Sequence, residues 1–289
     1  MIEALRRSGE TLLWSVLALA AALLLFGACI LADGHNPIEA WRLLALGAFG
    51  DWFSWQNTLQ RAAPLMLTAL CVAIPAQAGL IIIGGEGALV LGGLAAAGLP
   101  YLFGLPGGAA GTALVLLAGA IAGGLWIAAA GALRQFRGVN ETIAIAIFKH
   151  CVEGPMRDPA SLNRPSTLPL AESIRIGGIG DSDIHWGLAW GIGAALVFGI
   201  ALYFTSAGFA VRIAGGNVRA ARLVGLAVDR LVIAACALGG ACAGLAGSIE
   251  VAAVHTSANA SLIAGLGYTG ILVSFVARHN PFAVIPVAV

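Results

Sequence analysis

The chain has 289 residues, 60% of them hydrophobic and only 10% charged, with a mean hydropathy of +0.94 and a formal net charge of +1. Soluble domains carry about 25% charged residues, so the composition excludes a water-soluble globule and predicts an integral membrane protein. Its 40 glycines suit helices that approach backbone to backbone in lipid, and the alternating strands of an outer-membrane barrel are absent from the pattern.

In chain order, a short polar start with Arg6 and Arg7 precedes the apolar run Leu12–Leu31, which is long enough to span a bilayer. Asp33–Asn57 leans acidic and carries Trp41, Trp52 and Trp55, as an amphipathic segment at the membrane–water interface does. Thr58–Gln77 reads as a second span. Gly79–Gly87, GLIIIGGEG, then breaks the pattern, and Leu89–Phe103 and Ala109–Leu133 continue as spans. Gly119 and Gly123 form a small-xxx-small pair in the latter. Val139–Val152 is a shorter apolar segment. The Pro-rich, acidic stretch Glu153–His185 reads as an extramembrane loop, and Trp186–Phe204 spans again, with Gly187 and Gly191 on one face.

The stretch Thr205–Arg230 is a basic island, with Arg212, Arg219, Arg222 and Arg230 against Asp229. It predicts a short helix over Val218–Val224, capped by Asn217 and left through Gly225. A structured basic loop between spans suits a docking surface, while the simpler reading has its arginines fix topology and touch lipid phosphates. Leu231–Val254, with Gly240 and Gly244 at contact spacing, and Leu262–Ala277 complete the spans before a final apolar run at Phe282–Val289. The expected fold is therefore all-α and polytopic, with about eight transmembrane helices and a truncated ninth. It forms a single transmembrane domain over residues 1–289 that is expected to lack a C-terminal part. A cytoplasmic N-terminus places Arg6, Arg7, Arg134, Arg137, the basic loop and Arg278 inside, in accord with the positive-inside rule.

Four charges within apolar surroundings call for a role: Glu86, Glu141, Lys149 and Glu250. Glu86 lies in Gly84-Gly85-Glu86-Gly87, where a glycine-rich break lets backbone line a cavity; a short turn with an exposed carboxylate is the alternative. Glu141, behind Asn140 at a helix start, either complements the helix dipole or touches solute. The five cysteines form no CxxC pair and read as small apolar residues. No metal-ligand spacing, nucleophile–base set, phosphate-binding GxxxxGK[ST] or DNA-binding pattern is present, so no catalysis, metal, cofactor or nucleic-acid partner is expected. A proton-coupled carrier using Glu86 or Glu141 fits the broken spans. A transport subunit that takes its energy from a separate ATPase fits the structured loop.

Four blocks resemble the permease subunits of bacterial ABC importers in the branched-chain amino acid/ribose-type superfamily, from about Leu59 onward. Gly79–Gly87 is similar to G-L-F-N-I-G-x-E-G-Q, and GVNETIAIAI (Gly138–Ile147) to R-G-V-N-E-V-I-S-T-I. TSAGFAVRIAGGNVRAARLVGL is similar to T-x-x-G-x-x-x-R-A-x-G-x-N-x-x-A-A-x-x-x-G-I, and GLGYTGILVSFVARHNP to G-x-G-Y-x-G-I-x-V-A-x-L-x-x-x-x-P. The branch serving nucleosides and simple sugars, whose binding proteins are basic membrane lipoproteins, looks closest.

The resemblance implies that residues 205–230 form a cytoplasmic coupling loop. Arg212, Gly216, Asn217, Arg219, Ala220, Ala221, Arg222 and Gly225 would then meet the ATPase. The pathway is expected near Gly84, Gly85, Glu86, Gly87, Asn140 and Glu141. The implied partners are two ABC ATPase subunits, a second permease in a heterodimer, an extracytoplasmic substrate-binding protein and lipid of a bacterial inner membrane. Ile82, Ala88 and Phe148-Lys149-His150 depart from the family pattern where it carries polar groups.

Overall fold

A computed structural model describes Leu17 and residues 20–136, 143–161, 165–180 and 182–289. It divides into two compact units, Met1–Thr58 and Leu59–Val289. Among the described residues the regular structure is helical, and the only strand-like pairings are two isolated bridges, Ser166 with Asn259 and Gly178 with His185.

In the first unit, α1 (Ala20–Ala32) and α2 (Pro37–Phe49) meet at a bend of 118°. Asn36 accepts from the N–H of Ile38 at 3.0 Å, and Pro37 opens α2 where its missing N–H costs nothing. The indole of Trp41 lies where a side chain on Gly27 would have to stand. Asp51 Oδ1 accepts from Ser54 N–H at 2.7 Å at the start of the next helix. That backbone donor, followed by the Ser54 hydroxyl, holds the Asp51 carboxyl below its usual range.

The second unit is built on α3 (Trp52–Gln77) from Leu59 onward, α4 (Gly85–Phe103), α5 (Ala109–Phe136) and α10 (Val228–Ile249). Their contact is made by glycine. A Cβ on Gly123 would stand 2.5 Å from the Gly240 carbonyl oxygen and 2.6 Å from Gly244 Cα, so α5 and α10 touch main chain to main chain. Gly244 also meets Gly92, and Gly247 meets the Leu89 carbonyl, which brings α4 onto the same seam. Two of the three glycine pairs expected from spacing alone, Gly119/Gly123 and Gly240/Gly244, are thus each other's partners. Around them Leu67, Leu70, Leu89, Ile127 and Ile249 are fully buried.

The remaining helices are α6 (Ile143–Glu153), α7 (Gly187–Phe204), α8 (Ser206–Gly216), α9 (Val218–Leu223), α11 (Leu266–Val276) and α12 (Pro281–Ala288). Five described helices are long and apolar enough to cross a membrane, or up to seven if each bent pair counts as one span. The expectation of eight and a ninth rested on counting apolar runs. One of those runs, Leu262–Ala277, carries a helix of only 11 residues, α11, which joins α12 through a bend of 117°, while the first run and the run over α6 lie partly outside the described residues. At 1.5 Å per residue such a helix is about 16 Å long, half a bilayer core.

α10 passes into a π-helical turn, Glu250–His255, that ends at Thr256 with φ 57°. The Pro-rich stretch before α7 is bound to it. Ile176 N–H donates to Ala252 O at 3.0 Å, Leu170 N–H to Thr256 O at 2.7 Å and Thr167 N–H to Ala258 O at 3.0 Å. The same stretch is pinned to the start of α5, where Gly108 N–H donates to Ser173 O at 2.8 Å and the Thr112 hydroxyl to Ile174 O at 3.1 Å. What composition marks as a loop is therefore a strap across two helix ends.

Candidate functional site: a clasped break and a projecting loop

The break Gly79–Gly87 is a turn back into the bundle. α3 ends at Gln77, Gly79 takes φ 82°, and a Cβ on Gly85 would lie 3.8 Å from Cys71 Sγ, six residues back inside α3. The chain between has no regular element, and its burial alternates: Ile82 is 2% exposed, whereas Ile81 and Ile83 are exposed. Non-helical backbone inside an apolar bundle persists only where protein or a water-lined path covers it.

Glu86 is not on an exposed turn; it is 2% exposed in the first turn of α4. Its Oε1 accepts from Gly265 N–H at 2.9 Å and its Oε2 from Gly267 N–H at 2.6 Å. Those two amides belong to the free N-terminus of α11, where the helix dipole favours negative charge. Gly267 has to be glycine for this, because a Cβ there would overlap Glu86 main chain. Thr68 seals the other side of the same helix start: its hydroxyl lies 3.2 Å from Leu266 O, and it fills the space that a side chain on Gly270 would need. Gly84, Gly85 and Gly87 are buried beside Glu86. Asn140 and Glu141, the other expected pathway residues, lie outside the described residues.

The basic stretch holds more structure than expected. Thr205 caps α8 by accepting from Gly208 N–H at 3.1 Å, and Asn217 ends α8 and caps α9 by accepting from Ala220 N–H at 3.0 Å. α9 closes through Gly225, at φ 82°, with Leu226 N–H donating back to Ala221 O at 3.0 Å. Arg222 Nη2 meets Asp229 Oδ1 at 3.0 Å across this turn.

Of the eight residues expected to meet a partner here, Gly216, Asn217, Arg219, Ala220, Arg222 and Gly225 are exposed. Ala221 is fully buried, so it roots α9 rather than facing outward. Arg212 is half-buried, its guanidinium 5.2 Å above the Tyr203 ring, a cation–π contact that keeps it against the protein. Sequence reasoning missed the outermost groups, Leu223 and Val224, which are 88% and 72% exposed. The signal was available: two adjacent large apolar residues at the end of a helix whose buried position is Ala221.

The other singled-out charges fall elsewhere. Glu250 is buried in the π-helical turn with its Oε2 3.5 Å from His255 Nε2. Lys149 is exposed on α6, 3.9 Å from Glu153. Buried His185 accepts from Gly187 N–H at 3.1 Å through Nδ1, and burial pushes its pKa below the usual value.

Comparison with known proteins places these features in a family. The chain is 30% identical over 283 residues to the glucose ABC transporter permease protein TsgB13 of Haloferax volcanii, covering 92% of this chain and 74% of that one. It is 26% identical to the guanosine ABC transporter permease protein NupP of Bacillus subtilis, over 99% of this chain and 84% of the relative. To the nucleoside ABC transporter permease protein NupB of Lactococcus lactis it is 24% identical, over 93% and 79%. No solved structure matches the chain. The family model described as "Branched-chain amino acid transport system / permease component" matches residues 54–289, which include the clasped break, the projecting loop and α11. The chain therefore belongs to the family of permease components of branched-chain amino acid transport systems.

Proposed function

We propose that this protein is the membrane-spanning permease subunit of an ATP-driven ABC importer. It would translocate a nucleoside or simple sugar delivered by an extracytoplasmic binding protein. Its place would be a bacterial inner membrane, paired with a second permease and two ATPase subunits. The observation that carries the reading is the α8–α9 loop. Two capped helices present Leu223 and Val224 beside Arg219 and Arg222, outside an otherwise apolar bundle. Such a surface suits an apolar groove with an acidic rim on a soluble subunit. The relatives named above, one for glucose and two for guanosine or nucleosides, support the solute class.

Solute would pass beside the break at Gly84–Gly87, with Asn140 and Glu141 nearby. The exposed face of Ile81 and Ile83 gives that path an apolar wall. A wall of this kind lets a neutral ring pass without tight binding, and affinity then resides in the binding protein. Proton coupling through Glu86 is the weaker reading, because both of its oxygens already accept main-chain N–H groups.

The test is co-purification of coexpressed ATPase with the unaltered chain and with Leu223→Asp/Val224→Asp. The ATPase is expected with the first and absent from the second, both chains remaining monodisperse in detergent. A folded, unaltered chain that retains no ATPase sinks the reading.

A further inference from the structure

One continuous stretch, Gln77–Glu86, holds both ends of α11 and also touches α8. At the N-terminus of α11 the Glu86 carboxylate accepts from Gly265 and Gly267. Beyond the C-terminus, Gln77 Nε2 donates to His279 O at 2.8 Å. His279 lies in the corner between α11 and α12, where both Arg278 and His279 take positive φ, 52° and 55°. Non-glycine residues in that region are held by their surroundings. The Ser274 hydroxyl, 2.9 Å from His279 Nδ1, and Gln77 hold this corner together with main-chain bonds such as His279 N–H to Ser274 O at 2.8 Å. The dimensions agree: the 11 residues of α11 rise about 16 Å, and the six steps from Gly79 to Gly85 reach at most about 20 Å.

The foot of this stretch rests on the projecting loop. A Cβ on Gly79 would lie 3.2 Å from Gly215 Cα, and one on Gly215 would lie 2.8 Å from Gly79 N and collide with Gln77 O. No side chain separates the end of α8 from the turn after α3. A contact of main chain against main chain has no rotamer to yield, so a displacement of α8 is passed on rather than absorbed.

We propose that Gln77–Glu86 is a strut that moves α11 with the α8–α9 loop, with Gly215 against Gly79 as its foot and Gln77 and Glu86 as its two grips. Gln77 is thereby a positioning residue for transport: it touches neither solute nor ATPase and acts through α11. The inference rests on the reading of α8–α9 as the ATPase-docking loop.

The experiment uses the assembled transporter in membrane vesicles. Leu272, 66% exposed on α11, is replaced by Leu272→Cys in a background carrying Cys29→Ser and Cys151→Ser, the two native cysteines that are not buried. A maleimide reports its labelling rate with and without ADP·vanadate trapping. Without further change, trapping is expected to alter the rate. With Gln77→Met, which keeps the length and removes the donor, that response should fall by about fivefold or more. Co-purified ATPase and its hydrolysis rate should stay unchanged, a split that a purely structural role for Gln77 does not produce.

A vanadate response that persists in Gln77→Met, with ATPase bound, overturns the strut and leaves the permease reading intact. Failure of the unaltered chain to retain ATPase overturns both.

Discussion

Glu86 and Gly267, 181 residues apart in sequence, are joined by a 2.6 Å hydrogen bond from the glycine N–H to carboxylate Oε2. The bond, with its twin to Gly265, ties the first turn of α4 to the first turn of α11. Both donors are charge-assisted partners in a buried place, where such bonds are worth about 1.5–3 kcal/mol each. Glu86→Gln replaces one acceptor by a donor that faces an N–H. It is expected to lower the unfolding midpoint in detergent and to reduce uptake at every pH tested. Uptake that survives Glu86→Gln but loses its dependence on a pH gradient would revive the proton carrier instead.

Close approach at the α5–α10 seam makes a second expectation. In Gly244→Ala the new methyl meets Gly119 O and stands 2.9 Å from Gly123 Cα, with backbone on both sides and nothing flexible to give. Overpacking of this kind costs about 1–3 kcal/mol. Gly193→Ala, in α7 where nothing lies within 4 Å, should be neutral or raise the midpoint, since alanine favours helix by up to about 1 kcal/mol. Thermal unfolding of the two variants side by side separates packing from helix propensity; equal shifts would mean that the seam is not close-packed.

His185 predicts a dependence on pH. Its folded pKa lies below the usual imidazole value of about 6.5 because burial disfavours the imidazolium, so the unfolded chain takes up the proton first as pH falls. The stability linked to this group is present above about pH 6.5 and is lost on acidification through that value toward the lower folded pKa. His185→Asn retains an acceptor for Gly187 N–H and removes the titration. Its unfolding midpoint should fall less between pH 7.5 and 5.5 than that of the unaltered chain. An identical drop in both would assign the acid sensitivity to other groups.

Asn217 ends one helix and begins the next, so its loss should act on the loop alone. Replacing an N-cap asparagine by alanine costs about 1 kcal/mol. With α9 only six residues long, that is enough to fray it. Asn217→Ala is expected to leave the global midpoint in place and to weaken ATPase retention by several fold, read by titrating detergent-solubilised permease with the ATPase.

The seam was legible because its residues carry their own signature: Gly119 and Gly123, and Gly240 and Gly244, recur at four-residue spacing. The Asn217 cap and the Gly225 exit were legible for a similar reason, as each uses a residue type that the backbone geometry requires. The partner of Glu86 was not, because it is main-chain N–H, which any residue but proline supplies. Hydropathy marked Leu262–Ala277 as a short span but not where α11 starts within it. An apolar average does not register a break at Gly265. Ala221 and Leu223 both fall in the helix expected over Val218–Val224, and only the packing of α9 told the root from the tip.

The strap before α7 also sets an order of events during synthesis. Thr167, Leu170 and Ile176 leave the ribosome before the carbonyls of Ala252, Thr256 and Ala258 that receive them. During that interval α7, α8, α9 and α10 are still being made, and the strap has its anchors on Gly108 and Thr112 and a contact from Gln60 Nε2 to Asp183 O at 3.3 Å. The turn that follows α10 is the last piece to lock it. A stalled or shortened chain ending before Ala252 would therefore leave the N–H groups of Thr167, Leu170 and Ile176 without these acceptors, and the strap more open to proteolysis than in the finished protein.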